Sequence, residues 1–563
     1  MSRFTRRHFI KAALAASGGV WVSTPLQAMT RPELPSEVAF RHGVASGDPL
    51  QDAVILWTRA TPVKSGESGP VKVIWELARD SAFKEVLRRG NAETDLARDY
   101  TVKIDVRGLE PGSRYYYRFI GATEQSPVGR TRTLPEGGVE QIKLAVFSCS
   151  NYPAGYFNVY QLAAQSGDWD AVLHLGDYIY EYGANGYATE HSAEIGRALP
   201  EDNAGELLTL TDYRKRYALY RTDTGLQSLH ASAPFIAVWD DHEISNDTWK
   251  GGAQNHNEGE GDFFARRAAA VQAYYEWLPI RPPAGERHPQ IYRSFHFGGL
   301  VDLHMLDTRV IGRDRQIEFA DYMDEKGRFD SESFAAALAD PGRSLLGKTQ
   351  FQWLADTLEK STGRWQLLGQ QVLMGKMHLP AEIMVNFASG KKSTAITPEL
   401  IALKAASMKG KPLSESQRAR LQQQLPYNLD AWDGYPAERE ALYRRVRALG
   451  KNLVVAAGDT HNAWFSHLKD AEGTLVGLEF ATASVSSPGM ETYLGLDEQG
   501  AVELARGMPL LIDDLQYCNL HQRGYLALTF REDEVQAEWK FIDNIRSTEF
   551  AEAAGHRVVH RLA

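Results

Sequence analysis

Cysteine is nearly absent from this chain. Only Cys149 and Cys518 occur among its 563 residues, so at most one disulfide can form. In an oxidising compartment that disulfide is the default expectation. A thiol that stays free there would need protection, and a bound metal ion can provide it. The residues around Cys149, described below, favour the second interpretation.

An excess of positive charge is also absent, because the formal net charge is −10 and the sequence pI is ≈ 5.9. A nucleic-acid-binding protein usually carries a basic surface, and nothing in this composition indicates one. Any anionic substrate must therefore be attracted locally, by metal ions or by a few arginines.

Long apolar runs, internal repeats and low-complexity segments are missing as well. No segment after the N-terminus is apolar enough to span a bilayer, which needs about 20 residues. Apolar residues make up 43% and charged residues 24%, which argues for an ordinary globular protein and against a disordered, collagen-like or coiled-coil chain. Because 563 residues exceed what one core usually supports, we expect at least two domains.

Residues 1–28 have the pattern of an export signal. Arg6 and Arg7 precede Phe9 and Lys11, and a short apolar run and the small residue Ala28 follow. This order is typical of secretory signals, and the paired arginines resemble the twin-arginine type, which exports folded proteins. We therefore expect a periplasmic or secreted protein that is delivered by the twin-arginine export machinery and is not integral to the membrane.

Residues 36–135 have the pattern of an all-β domain. Apolar and polar residues alternate over 71–77 and 100–106, which predicts strands. A turn at 109–112 leads into the tyrosine-rich segment 114–120, and Trp57 is a candidate core residue. The arrangement resembles a fibronectin III-like sandwich with its tyrosine corner. We interpret this domain as a scaffold.

From residue 140 onward, strands alternate with helices. Continuous apolar runs predict buried strands at 143–147, 171–175, 235–239 and 453–457. We expect a layered α/β or α+β domain with mixed sheets over 140–545, followed by a C-terminal tail at 546–563. The polar, helix-prone stretch 381–428 has no clear place in a sheet and is a possible cap or insertion.

These four strands run directly into clusters of potential ligands. The clusters are Ser148-Cys149-Ser150-Asn151, Gly176-Asp177-Tyr178-Ile179-Tyr180, Asp240-Asp241-His242-Glu243 and Gly458-Asp459-Thr460-His461. In open α/β sheets, functional residues collect at the carboxyl ends of strands. One Asp after a strand is more often a turn or cap residue, but four such ends together indicate one site.

The chemistry of these side chains indicates a metal centre. Carboxylates that are gathered in a dry cleft repel one another unless cations neutralise them. Hard oxygen ligands suit calcium, magnesium or manganese, whereas a thiolate, a phenolate and an imidazole suit iron or another transition metal. A site of this composition could hold two unlike metals, and such a pair can clamp a phosphate.

The motifs resemble those of the calcineurin-like metallophosphoesterases. The usual Asp-x-His motif is replaced here by Ser148-Cys149-Ser150, and Asp459 stands where the Gly-His-x-His motif has its first His. These departures, together with Tyr180 and the N-terminal segments 43–49 and 57–59, match the alkaline phosphatase D (PhoD-like) family. The resemblance covers nearly the whole mature chain. It implies a four-layer metallophosphatase-type β-sandwich flanked by helices, after the fibronectin III-like domain.

The family resemblance also implies a ferric ion (Fe3+) and one or more calcium ions (Ca2+). Transferred to this sequence, the iron ligands would be Cys149, Asp177, Tyr180 and His461. Asp177 would bridge to calcium, and Asp459 with either Asp241 or Asn246 would complete that site. The ferric charge would keep the Cys149 thiol deprotonated.

The implied reaction is hydrolysis of phosphomonoesters or phosphodiesters by a metal-bound hydroxide. His242, beside Asp241, is the first candidate for the acid that assists the leaving alkoxide, or for a residue that orients the site. Arg309, and Asn151 or Tyr152, are candidates for contacts to the phosphate. We assign structural roles to His174 and His304, which lie within strand patterns.

Two rival functions remain open at this point. A phosphodiesterase of the phospholipase D type, acting on phospholipid or a cell-wall polymer, would use the same metals with a different pocket and cap. A non-catalytic exported binding protein, in contrast, would not need the full set of ligands.

Overall fold

The computed structural model describes residues 34–64, 69–283, 289–389 and 396–562. The expected export signal, residues 1–28, lies outside the described residues. Within the described ranges, none of the helices combines the length and the apolar character that crossing a membrane requires.

The strands before residue 140 are β1 (Val38–Ala39), β2 (Val44–Gly47), β3 (Ala53–Arg59), β4 (Thr61–Pro62), β5 (Val71–Ala78), β6 (Val86–Thr94), β7 (Thr101–Arg107), β8 (Arg114–Ile120) and β9 (Gly129–Arg132). Those after it are β10 (Ile142–Phe147), β11 (Ala171–His174), β12 (Phe235–Ala237), β13 (Arg293–Phe297), β14 (Val301–Met305), β15 (Trp365–Gly369), β16 (His378–Pro380), β17 (Gln424–Pro426), β18 (Asn452–Ala457), β19 (Ala463–Lys469), β20 (Leu475–Ala481), β21 (Leu515–Asn519), β22 (Arg523–Phe530), β23 (Glu534–Ile542) and β24 (Glu552–Arg561).

The α-helices of the described residues follow residue 150. They are α1 (Asn158–Ser166), α2 (Leu210–Tyr220), α3 (Thr224–Ser232), α4 (Phe263–Trp277), α5 (Ser331–Leu338), α6 (Gly347–Lys360), α7 (Ala381–Ala388), α8 (Ile396–Met408), α9 (Glu415–Gln422), α10 (Pro436–Ala448), α11 (Met490–Leu494) and α12 (Glu498–Leu511). Several begin at a side-chain cap, as at Thr209, which forms a capping box with Asp212 before α2.

Two large sheets place the four ligand clusters. One has nine strands in the order β24-β23-β22-β10-β11-β12-β2-β3-β7, and the other has seven in the order β13-β14-β15-β18-β20-β19-β21. The strands β10, β11 and β12 run parallel, and Phe147, His174 and Ala237 lie side by side in their register. In the second sheet β14, β15, β18 and β20 are parallel. The carboxyl ends of neighbouring strands therefore coincide.

The largest core cluster contains side chains of both large sheets, including Val146 and Leu173 of one and Leu367 and Val454 of the other. At their carboxyl edge the sheets are joined directly, because the Val485 N–H donates to the Ser148 carbonyl at 3.0 Å. The mixed α/β architecture expected from the sequence is thus confirmed, and the strand ends of both sheets meet at one edge.

The N-terminal region divides its strands between two sheets. The strands β6-β5-β8-β9 form a separate four-stranded sheet, whereas β2, β3 and β7 extend the nine-stranded sheet. Trp57 of β3 is fully buried, but it packs on Trp277 of α4 at 5.8 Å between ring centroids and donates through Nε1 to the Glu276 carbonyl. This indole therefore packs against α4, which lies outside the N-terminal region.

Two segments that the sequence placed outside the sheets differ in their outcome. The expected C-terminal tail contains β24, which pairs with β23 at the edge of the nine-stranded sheet. The stretch 381–428 contains the helices α7, α8 and α9, as its helix-prone composition suggested, and its strand β17 pairs with β16, which directly precedes the stretch. It lies outside the two large sheets, as the sequence suggested.

The segment Gly47-Asp48 docks the N-terminal region beside β12. Asp48 accepts the Arg281 N–H at 2.8 Å and the Arg293 Nη2 at 2.6 Å, and the same Nη2 donates to the Ala237 carbonyl at 3.0 Å. A side chain at Gly47 would lie 2.6 Å from the Phe235 carbonyl oxygen, so only glycine fits there. Asp48 therefore fixes the end of β12.

We predict that Asp48→Ala lowers the free energy of unfolding by roughly 3 kcal/mol, because Arg293 would lose its buried partner. Urea unfolding followed by circular dichroism measures this change. The exposed Asp52 offers a matched control, and its alanine variant should stay within about 0.5 kcal/mol of the parent protein. Equal effects in the two variants would contradict the role given to Asp48.

Candidate metal centre

The structure brings one sulfur, one phenol, one imidazole and one carboxylate together. Cys149, Asp177 and His461 each offer a ligand atom, and these atoms all lie within 4.8 Å of one another. The Tyr180 hydroxyl lies 3.1 Å from Asp177 Oδ2 and 3.2 Å from His461 Nε2. The four residues that the resemblance assigned to iron therefore occupy one buried cluster.

His461 is prepared to act as a ligand. Burial lowers its pKa to about 3, so the imidazole is neutral at physiological pH. Its Nδ1 lies 2.8 Å from the Pro488 carbonyl oxygen and can donate to it, which leaves the Nε2 lone pair directed at the cluster.

The backbone holds these side chains in an uncommon conformation. Cys149, Asp177, Asp459 and His461 have φ values of 62°, 54°, 65° and 62°, in the left-handed region that costs a non-glycine residue about 1 kcal/mol. Such residues often mark functional sites. Sharp turns at the strand ends thus direct consecutive side chains toward the gap between the two sheets.

Glu243 fixes two of the strand ends. Its carboxylate accepts the N–H groups of Asp177 at 3.0 Å, Tyr178 at 2.5 Å and Asp240 at 2.7 Å. Gly176, with φ of 110°, lies so close to Asp240 that a Cβ atom would stand 2.3 Å from the Asp240 Cβ. Glu243 therefore belongs to the backbone framework and is not available to substrate.

A second donor group consists of carboxylates. Oxygen atoms of Asp240, Asp241 and Asp459 lie within 4.8 Å of one another, and Asp177, Asp241 and His242 form an overlapping group. Asp177 and Asp241 thus link this group to the first. Asp240, to which the sequence analysis gave no role, is buried and contributes to the second group.

Arg309 balances part of this negative charge. The fully buried guanidinium pairs with Asp240, with Asp430 at 2.7 Å and with Asp459 at 3.1 Å, and it lies 3.7 Å from Asp241. The nitrogen atoms of its guanidinium are therefore engaged by carboxylates. This arrangement gives no support to a phosphate contact by Arg309 and indicates that it positions acidic side chains.

One guanidinium does not neutralise the cluster. Burial and the neighbouring carboxylates Asp240 and Asp430 raise the pKa of Asp459 well above its usual value. Burial raises the pKa of Asp240 to about 6, although Arg309 opposes the shift. Carboxylic acids with raised pKa values in a buried cluster need additional cations to ionise fully. The donor set therefore fits bound metal ions.

His242 and Glu181 form a buried pair at the side of this cluster. His242 Nδ1 lies 2.7 Å from Glu181 Oε2, and its ring stacks on Tyr180 at 4.3 Å between centroids. Burial lowers the pKa of His242, but Asp241, Glu181 and Asp177 outweigh that effect and raise it well above its usual value. Glu181, which sequence reasoning missed although it follows Tyr180 directly, orients the imidazole.

The remaining candidates have distinct surroundings. Both side-chain amide atoms of Asn151 are buried without a hydrogen-bond partner among the described residues. Asn246 donates through Nδ2 to Gln254 and through its backbone to Glu181, which uses its amide nitrogen and not its amide oxygen. Tyr152 packs under Arg197, whose guanidinium carbon lies 3.6 Å from the ring centroid.

The expected structural roles of two histidines are supported by their contacts. His174 bonds to the Tyr160 hydroxyl at 2.8 Å, and His304 bonds to Ser294 and Gln366. The two cysteines are free and buried, and Cys518 contacts the Ala505 carbonyl through its sulfur. The disulfide alternative is therefore wrong.

Comparisons with known proteins find similar proteins over most of this chain. The family model for the PhoD-like phosphatase matches residues 144–539, and the model for the N-terminal domain of PhoD-like phosphatase matches residues 27–135. Alkaline phosphatase D of Bacillus subtilis (strain 168) is 34% identical over 558 residues, which cover 95% of this chain and 84% of that protein. A solved structure of PhoD has a TM-score of 0.75 at 32% identity and covers 94% of this chain and 91% of its own.

We predict that Arg309→Met lowers the free energy of unfolding by at least about 3 kcal/mol when metals are chelated, because several buried carboxylates would lose their common partner. Denaturant unfolding in the presence of a chelator measures this loss. Arg444 is exposed on α10, and Arg444→Met should change stability by less than about 0.5 kcal/mol. A metal-free Arg309 variant as stable as the parent would contradict the charge-balancing role.

Proposed function

We propose that metal ions between the strand ends make this protein active. The chain belongs to the PhoD-like phosphatase family and is a phosphoric ester hydrolase. The observation that carries this proposal is the convergence of two donor groups. One contains Cys149, Asp177 and His461, and the other contains Asp240, Asp241 and Asp459. A cluster of this composition has no evident structural purpose without cations.

We infer that the first group holds ferric iron. Thiolate, phenolate and imidazole ligands favour a transition metal over calcium or magnesium, and Cys149, Tyr180 and His461 supply all three. A trivalent ion also compensates the cost of burying a thiolate and a phenolate. Burial raises the pKa of the Cys149 thiol well above its usual value, so a strong cation is needed to keep it deprotonated.

The second group is proposed to hold calcium. Asp459 and Asp241 offer hard carboxylate oxygens, and Asp177 is placed to bridge the two ions. We favour Asp241 over Asn246 as a ligand, because a carboxylate oxygen of Asp241 lies within 4.8 Å of those of Asp240 and Asp459. Asp240 adds a further oxygen atom of the same kind.

The side chains around the ions are assigned the remaining steps. Bound cations would stabilise the charge on the phosphoryl oxygens and lower the pKa of the attacking water. His242, held by Glu181, would carry the proton that the leaving oxygen takes. Asn151, with both amide atoms unpaired, would donate to a phosphoryl oxygen. Arg309 would keep Asp240 and Asp459 in place.

We further propose that the chain is exported through the twin-arginine pathway, on the basis of the sequence pattern in residues 1–28. For the N-terminal region, 36–135, the fibronectin III-like description is supported by the Tyr115 hydroxyl, which accepts the Glu110 N–H at 2.9 Å as in a tyrosine corner. The catalytic domain would extend from residue 140 through β24 as a four-layer sandwich, because β24 belongs to the nine-stranded sheet, and 381–428 would be its cap.

The reaction is tested with a phosphomonoester, a bis-ester and a micellar phospholipid. We expect hydrolysis that a calcium chelator abolishes and that added calcium restores, because the carboxylate group needs its cation. Failure on every substrate after metal reconstitution would refute the proposal. A marked preference for the phospholipid would instead favour the phospholipase-type enzyme, which uses the same metals.

We predict that Cys149→Ala loses its bound iron and its visible absorption, because a ligand is removed. Its activity should fall by about 100-fold or more. Ferric thiolate and phenolate centres absorb visible light, so the parent protein should be coloured. Elemental analysis measures the iron, and absorption spectra measure the colour. Cys518→Ala is the matched control and should keep its iron, and a colourless, iron-free and fully active parent protein would exclude the ferric assignment.

A further inference from the structure

A cavity of ≈ 230 Å³ lies beside the metal centre. Six of the side chains that line it are Asp247, Trp249, Gln254, Arg315, Gln316 and Glu318. Asp247 connects this cavity to the centre, because its backbone N–H donates to Asp241 Oδ2 at 2.6 Å. A ligand in the cavity would therefore lie next to a carboxylate of the second donor group.

Trp249 forms an aromatic wall of the cavity. The backbone N–H of Trp249 donates to the Gly252 carbonyl at 2.8 Å. A Cβ atom on Gly252 would lie 2.5 Å from Trp249 Cζ2 of the indole. The glycine therefore packs directly on the indole and holds it in place. The close contact between Gly252 and Trp249 indicates a fixed position for this loop.

The remaining side chains of the wall are polar. The guanidinium carbon of Arg315 lies 5.8 Å from the Trp249 ring centroid. Gln316 Nε2 donates to Asp247 Oδ2 at 3.0 Å, and Gln254 Oε1 accepts from Asn246 Nδ2 at 3.0 Å. The Gln254 amide nitrogen and the Arg315 guanidinium can donate to a ligand, whereas the oxygen atoms of Glu318 can accept.

We propose that this cavity binds the sugar ring of a phosphorylated sugar, with Trp249 as its stacking surface. This proposal rests on the proposed function, since the phosphate of the same molecule would lie at the metal centre. The C–H face of a sugar ring packs on an indole, and its hydroxyl groups both donate to carboxylates and accept from guanidinium and amide groups. The volume is below the ~300 Å³ of pockets for drug-sized ligands, which limits the occupant to about one ring.

The charge and polarity of the walls disfavour other occupants. Arg315 is the single cation beside the two acidic side chains Asp247 and Glu318, so a second phosphate group would find little positive charge to compensate its own. An alkyl chain would leave these polar groups without partners, which costs free energy. A hydroxyl-bearing ring satisfies both the aromatic surface and the mixed donors and acceptors.

The kinetic test compares a hexose 6-phosphate, a short alkyl phosphate and an aryl phosphate as substrates. For Trp249→Leu we expect the ratio of kcat/KM for the sugar ester to that for the alkyl ester to fall about tenfold, and Trp249→Phe should recover part of it. Trp353, half-buried and packed on Tyr292 at 4.7 Å, gives the matched control Trp353→Leu, which should leave this ratio unchanged.

An unchanged ratio in Trp249→Leu would overturn the sugar assignment. So would a fall in kcat/KM for the aryl ester as large as the fall for the sugar ester. Turnover of the alkyl ester by the parent protein shows separately that the metal centre works. Saturation-transfer NMR with free glucose and the metal-loaded protein supplies a second measurement without catalysis, because glucose carries no phosphate ester. The parent protein should give a transfer signal that Trp249→Leu loses, and the absence of this signal in the parent would also overturn the proposal.

Discussion

The crowding of buried carboxylates at the edge shared by two sheets is the constraint on which the rest of this structure depends. Five aspartates take part, namely Asp177, Asp240, Asp241, Asp430 and Asp459, with Arg309 at the centre of four of them. Arg309, together with Arg313 on Asp430, supplies two positive charges against five carboxylates, so protons or further cations must supply the rest. Anything that binds this folded arrangement more tightly than the unfolded chain also stabilises it. Metal ions bound as proposed above would therefore also stabilise the fold.

The same edge shows that an acidic residue with a strongly raised pKa is not always catalytic. Burial raises the pKa of Glu243 to about 8, yet its carboxylate accepts three backbone N–H groups and holds two strand ends together. Gln371 has a similar role, since its amide nitrogen donates to the carbonyls of Trp239 and Leu306 at 2.6 and 3.0 Å. These bonds offset the cost of the left-handed conformations at Asp177 and its neighbours.

Strand periodicity and spaced motifs predict the parallel strands and the residues at their ends, because both are local in sequence. The role of Arg309 could not be predicted in this way. Its partner Asp430 lies 121 positions along the chain and follows the helical segment 381–428, so no spacing connects the two. Likewise, the sequence of β24 was expected to form a tail. The strand lies at the edge of the sheet, beside β23 alone, and so lacks the apolar pattern of a buried strand. Contacts set by topology, and not by local pattern, account for these differences.

The N-terminal region contributes more than a scaffold that stands apart. The strand β12 has only three residues and would expose one edge if the nine-stranded sheet ended there, which is a costly state for a strand that carries functional residues. The backbone of Gly47-Asp48 pairs with Phe235. Beyond this pairing, the Arg293 guanidinium donates to the Ala237 carbonyl, and the Asp48 carboxylate holds that guanidinium in place. The next turn carries Asp240 and Asp241. The N-terminal strands therefore complete the hydrogen bonding of the element that positions two carboxylates, which links the two regions in one functional unit.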